Sequence, residues 1–143
     1  MLDLGCGYGD MVAACYLAGA SILGVDYDDQ VVVAARERLS SMSIPRACIW
    51  PGDITDLNDE QWDIVICFSV LPYLPAPGTT ISWMKRHGKI SLIEMQYKGD
   101  GPGKMLDDEQ MRCWLLLVFD KVTPIGKTLV DYRNKWRTIW MCT

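Results

Sequence analysis

Basic charge is scarce in this chain. Lys and Arg total 14 against 18 Asp and Glu, which gives 143 residues a net charge of -4. A global positive field for gripping nucleic acid is therefore absent, although a local patch is not excluded. Histidine is scarcer still, with His87 alone. The six cysteines, Cys6, Cys15, Cys48, Cys67, Cys113 and Cys142, form no CxxC pair. Zinc-ligand spacing is thus missing and no metal site is expected. Five of the six lie in apolar surroundings, as reduced, buried thiols do in a cytoplasmic protein. No apolar run reaches the roughly 18 residues that a membrane helix needs. The apolar start has no basic segment ahead of it and is broken by Asp3 and Asp10, unlike a signal peptide.

What is present reads as one domain over residues 1–143. Apolar runs alternate with amphipathic stretches. The pattern predicts strands at Leu2–Leu4, Ser21–Asp26, Ala47–Trp50, Trp62–Phe68 and Lys89–Met95. It predicts helices at Asp10–Ala18, Asp28–Met42, Ile81–Arg86 and Asp107–Val118. Asp53–Glu60 reads as an acidic loop, Leu71–Gly78 as a proline-broken loop and Tyr97–Lys104 as a glycine-rich one. Asp120–Cys142 reads as two strands joined by the turn Asp131–Lys135. Continuous apolar strands between helices imply a parallel sheet covered on both faces, an α/β doubly wound fold. The last two strands lack a helix between them and so imply an antiparallel edge. The first strand is short, as if truncated.

In such sheets the ligand site lies beyond the carboxyl ends of the strands, where strand order reverses. The loop after the first strand, LDLGCGYGD, places glycines at 5, 7 and 9. A dinucleotide fingerprint, GxGxxG, would need glycine at position 10, where Asp10 stands. A carboxylate there takes the positive helix end that a pyrophosphate would use. Three further features sharpen the ligand. Asp26 ends the second strand, 21 residues after Gly5, where a carboxylate accepts from both ribose hydroxyls. Asp53 and Ile54, in GDITDL, suit an exocyclic amine and the face of a base. Phe68 to Leu74, FSVLPYL, supplies apolar and aromatic walls. Together they describe a site for an adenosine without phosphate.

DLGCGYG, VDYD, GDI and WDIVICFSVLPYL, in this order and spacing, resemble motifs of the class I S-adenosylmethionine-dependent methyltransferases. The resemblance runs from Leu2 to about Cys142. It implies a three-layer, seven-stranded Rossmann-like sheet in the order 3-2-1-4-5-7-6, ending in an antiparallel hairpin. It implies S-adenosylmethionine as cofactor, with Gly5, Gly7 and Gly9 near its methionine part. Asp26 would hold the ribose, Asp53 with Ile54 the adenine, and Phe68 with Ser69 the methionine side. Asp3, Cys6 and Tyr27 complete the implied cofactor set.

The acceptor side is less defined. The Asp/Asn-Pro-Pro-aromatic run of base N-methyltransferases is replaced by SVLPYL, which counts against DNA base methylation. Glu94 and Tyr73 are the catalytic candidates, for proton removal or acceptor contact. His87, in KRHGK, reads as an exposed turn residue. Tyr97 and Lys98 open a loop suited to a lid, and Arg133, Lys135 and Arg137 read as a solvated hairpin end, with phosphate contact the other reading. A small-molecule acceptor fits the acidic charge, with RNA or protein acceptors as alternatives. Members of the resembled family carry residues ahead of the first strand that cover the cofactor. Their lack here leads to the expectation of an open site, a covering second copy, or a fragment of a longer product. A cofactor-binding module that does not catalyse alone is the alternative to an enzyme.

Overall fold

The computed structural model describes residues 1–57, 59–95, 106–130 and 135–143. Tyr97, Lys98, Arg133 and the side chain of Lys135 lie outside the described residues. Seven strands form one sheet: β1 (Leu2–Leu4), β2 (Leu23–Asp26), β3 (Ile49–Pro51), β4 (Trp62–Phe68), β5 (Gly88–Glu94), β6 (Val122–Val130) and β7 (Lys135–Cys142). Their order is β3-β2-β1-β4-β5-β7-β6. β1 through β5 pair in parallel, while β7 runs antiparallel to both β5 and β6. Strand order therefore reverses between β1 and β4, and their carboxyl ends open one cleft.

Four helices are described: α1 (Asp10–Leu17), α2 (Asp29–Ser41), α3 (Pro77–His87) and α4 (Asp108–Leu115). Side chains of α1 and α2 pack with Ile22, Ile49 and Ile66 on one sheet face. Those of α3 and α4 pack with Leu2, Leu4, Val65, Cys67 and Ile93 on the other. The alternation along β4 explains the split, because neighbouring residues point to opposite faces. Leu2 and Leu4 are fully buried. Even the three residues of β1 are thus pinned between β2 and β4.

Several boundaries differ from the sequence pattern. α3 begins at Pro77 rather than Ile81, because proline is preorganised for the first helical position. Arg46–Cys48 form a 3-10 turn, and β3 starts only at Ile49. The acidic loop holds a short 3-10 turn at Ile54–Asp56, and another follows β4 at Leu71–Tyr73. No helix among the described residues is long and apolar enough to cross a membrane.

Candidate functional site

The loop after β1 is tied to β2. Gly5 and Cys6 both donate their backbone N–H to Val25 O, at 2.8 and 3.0 Å. Gly5, Gly7 and Gly9 have φ of 67°, 52° and 76°, a region that L side chains rarely adopt. At Gly5 the space is also taken. A Cβ there would lie 2.4 Å from Val70 Cγ2, so only glycine lets the segment after β4 come down on this loop. A second close approach escapes sequence reasoning. A Cβ on Gly24 of β2 would meet Val12 of α1 at 2.7 Å and Cys6 at 2.8 Å. Asp10 opens α1, paired at 2.5 Å with Arg38, which also donates to Tyr8 O at 3.0 Å. The helix end that would attract a phosphate already carries an acid with its own cation.

Asp26 sits at the carboxyl end of β2 and is 9 % exposed. Its Oδ2 accepts from Gly7 N at 2.9 Å and its Oδ1 from Asp28 N at 3.1 Å. A carboxylate offers about four acceptor positions, so two such bonds orient it and leave capacity for ligand hydroxyls. Gly52 N donates to Asp26 O at 3.0 Å, which brings the Asp53–Ile54 segment alongside.

These pieces enclose a cavity of about 420 Å³. Gly5, Asp26, Tyr27, Asp53, Ile54, Ser69 and Tyr73 all line it. Val70, Leu74 and Pro75 line it too, from the stretch after β4. Phe68 to Leu74 reads as a wall in the sequence, without singling out Val70 or Leu74, and Pro75 lies beyond that stretch. Asp3, Cys6, Gly7, Gly9 and Phe68 do not line it. Gly7 and Gly9 belong to the supporting loop, and half-buried Phe68 packs with Ile64 and Leu92 against the α1/α2 core. Asp3 is only 4 % exposed; burial, and then the charge of Asp26, pushes its carboxyl up to about 7. Burial, followed by Asp3 and Asp26, pushes the Cys6 thiol up to about 12, so it stays protonated and unreactive. Among the residues lining the cleft, Asp26 and Asp53 are acidic and none is basic, which suits a cationic ligand and opposes a phosphate.

Behind the wall stands a buried polar cluster. Ser69, at the end of β4, has φ 61°. Its N–H donates to Glu94 O at 3.0 Å and its Oγ donates to Glu94 Oε2 at 2.5 Å. Arg137 donates to Ser69 Oγ and pairs with Glu94 Oε2 at 3.6 Å, while Thr128 donates to Glu94 Oε1. Glu94 and Arg137 are 3 % and 8 % exposed. Arg137 is therefore no part of a solvated hairpin end. It faces inward along β7, opposite Thr128, where Glu94 neutralises it. Glu94 is likewise engaged rather than open at the cleft mouth, and Tyr73 stands at the rim, 57 % exposed.

His87 also departs from its sequence reading. It is buried, because Thr80, Ile81, Met84 and His87 share the inward face of α3. Its ring stacks on Trp83 at 4.6 Å, with Asp59 3.6 Å from Nε2.

Ubiquinone biosynthesis O-methyltransferase of Pseudomonas syringae pv. syringae is 31% identical over 83 residues, 57% of this chain and 36% of that protein. The enzyme of the same name from Methylococcus capsulatus is 29% identical over 90 residues, 62% of this chain and 38% of that protein. The chain thus spans little more than a third of the length of these curated relatives. Magnesium protoporphyrin IX methyltransferase from Synechocystis, solved with bound S-adenosylmethionine, superposes with a TM-score of 0.77 at 19% identity. That match covers 98% of this chain and 67% of the other. The bifunctional kinase-methyltransferase WbdD superposes at 0.78 and 18% identity, over 99% of this chain and 34% of that one. At such identities the likeness establishes a shared fold. Residues 2–90, well over half of the chain, match the methyltransferase domain family, so this chain belongs to the S-adenosylmethionine-dependent methyltransferases of Rossmann-like fold.

Proposed function

We propose that residues 1–143, as one domain, bind S-adenosylmethionine in the cleft beside Asp26 and transfer its methyl group to an oxygen of a small-molecule acceptor. The observation that carries this reading is the Asp26 carboxylate. It is fixed by Gly7 N and Asp28 N and lines the cavity, beside no basic lining residue that would call for a phosphate. The oxygen acceptor follows the O-methyltransferases among the relatives.

In this reading Asp26 accepts from the ribose hydroxyls, and Asp53 with Ile54 holds the adenine. Gly5 brings backbone against the ligand, and Ser69 stands on the methionine side with Phe68 packed behind it. Asp3, Cys6, Gly7, Gly9 and Tyr27 complete the frame. When bound, S-adenosylmethionine supplies a methyl group activated by a sulfonium, so the protein's task is to align the acceptor and exclude water. Tyr73, at the rim, is placed to contact the acceptor. A base is needed only for an acceptor that must lose a proton. Glu94 is already committed to Ser69, Thr128 and Arg137, so we assign it to holding the wall rather than to proton removal.

Calorimetric titration with S-adenosylmethionine and S-adenosylhomocysteine tests the binding claim, and binding of neither overturns it. A second reading is favoured by the exposed rim, where Tyr27 and Tyr73 are 79 % and 57 % exposed. There the chain is a cofactor-binding module whose acceptor side comes from a second copy or a partner. Transfer of tritiated methyl to small molecules of a cell extract separates the two. Label transferred by the chain alone supports the enzyme; binding without transfer supports the module.

A further inference from the structure

We infer that Arg137 and Glu94 are positioning residues for the cofactor cleft and act on it through the backbone of Ser69. The inference rests on the cofactor reading above. Among the described residues, Ser43 and Ser69 are the non-glycine residues with positive φ, and Ser69 lines the cavity. A left-handed serine is disfavoured and persists where its surroundings over-determine it. The surroundings of Ser69 do so from three strands. β5 supplies Glu94, which takes both the N–H and the hydroxyl proton of Ser69. β7 supplies Arg137, which donates to the hydroxyl oxygen, and β6 supplies Thr128, which fixes the other Glu94 oxygen. The hydroxyl has one proton and Glu94 holds it, so none is left to donate to a ligand. Ser69 thus fastens the wall.

What it fastens is the next residue. Val70 fills the space over Gly5, 2.4 Å from where a Cβ would stand. The left-handed turn at Ser69 seats Val70 there and joins two walls of the cavity, the loop after β1 and the segment after β4. If Ser69 relaxes to an ordinary φ, Val70 leaves Gly5 and the walls part. The hairpin β6–β7 contributes Thr128 and Arg137 and so sets the shape of a cleft that neither residue lines.

The test compares S-adenosylhomocysteine affinity by calorimetry with the midpoint of thermal unfolding. Ser69→Ala keeps the strained backbone without its fastening, whereas Ser69→Gly adopts the left-handed turn unaided. Ser69→Gly is therefore expected to bind more tightly than Ser69→Ala. Arg137→Met is expected to weaken binding about tenfold in the wild-type background and less than about threefold in the Ser69→Gly background. Its effect on the unfolding midpoint should persist in the Ser69→Gly background, because the pairing with Glu94 remains to be lost there. A merely structural arginine gives equal losses of affinity in both, and that result overturns the inference, as does unchanged affinity in the wild-type background. Should Arg137→Met fail to fold, Thr128→Val removes one bond to Glu94 and is read the same way, with a smaller loss. Wild-type protein that binds no S-adenosylhomocysteine overturns the cofactor reading itself, a result distinct from binding that the variants leave unchanged.

Discussion

The space above Gly5 belongs to Val70, and that contact sets a prediction for a single methyl group. Gly5→Ala must move Val70 and also hold alanine at φ 67°, whereas a Cβ on Gly7 meets nothing within 4 Å. Gly7→Ala is expected to cost about 1–2 kcal/mol for the left-handed conformation alone, and Gly5→Ala about 1–3 kcal/mol more for overpacking. Urea unfolding of the two variants checks the order; equal losses would remove the steric argument. Asp3 carries a prediction about pH. Its native carboxyl, near 7, keeps a proton that the unfolded chain, near 3.8, has lost. Its contribution to stability is therefore fullest below about pH 4, falls as pH rises to about 7, and is level above. Asp3→Asn lacks this loss, so its stability relative to wild type should rise between pH 5 and 8, by at most about 3 kcal/mol, since about two pKa units of the shift fall in that window at 1.36 kcal/mol each. A difference that stays constant with pH would show that burial does not hold the proton on Asp3. Residues of this kind were unequally legible. Gly5 and Asp26 announce themselves by type and spacing. Arg137 and His87 do not, because charged neighbours in sequence suggest solvent. The neutralising Glu94 is 43 positions from Arg137, and the Trp83 stack shows only once α3 has a phase.

At the scale of elements, the cofactor-side loops are each secured at a helix start or strand end. Asp28 caps α2, accepting from Gln30 N at 2.9 Å and Val31 N at 3.3 Å, while its own N–H holds Asp26. Asp28→Ala is expected to cost about 1 kcal/mol of stability, as N-cap losses do. The backbone bond to Asp26 does not depend on the side chain, so ligand affinity should fall far less than stability. Thermal unfolding with and without ligand checks this, and a loss of affinity exceeding the loss of stability would count against it. α4 starts on a similar cap, with Asp107 and Gln110 in reciprocal bonds. Apolar runs and caps are local signals, which is why β1, β4 and the start of α4 are readable from sequence. The start of α3 is less so. PAPG looks like a loop until Pro77 is seen to occupy the first helical position.

Over the whole molecule, strand alternation and apolar strands imply a covered parallel sheet, but they do not fix strand order. The order β3-β2-β1-β4-β5-β7-β6 is implied only by resemblance to a family, since pairings between distant strands leave no local trace. The cleft was legible for a related reason: its ligand-facing residues follow successive strands at the point where order reverses. Its bracing was not. The contact of Ser69 with Glu94 and Arg137 spans 25 and 68 positions and exists only once β7 is inserted between β5 and β6. Whether this architecture serves a phosphate-free adenosyl ligand is decided most directly by calorimetric titration of S-adenosylhomocysteine into the wild-type chain and Asp26→Asn. One-site binding by the wild type, weakened at least about tenfold in the variant, is expected from loss of charged acceptor bonds. No binding by the wild type, or equal binding by both, would contradict the assignment of the cleft.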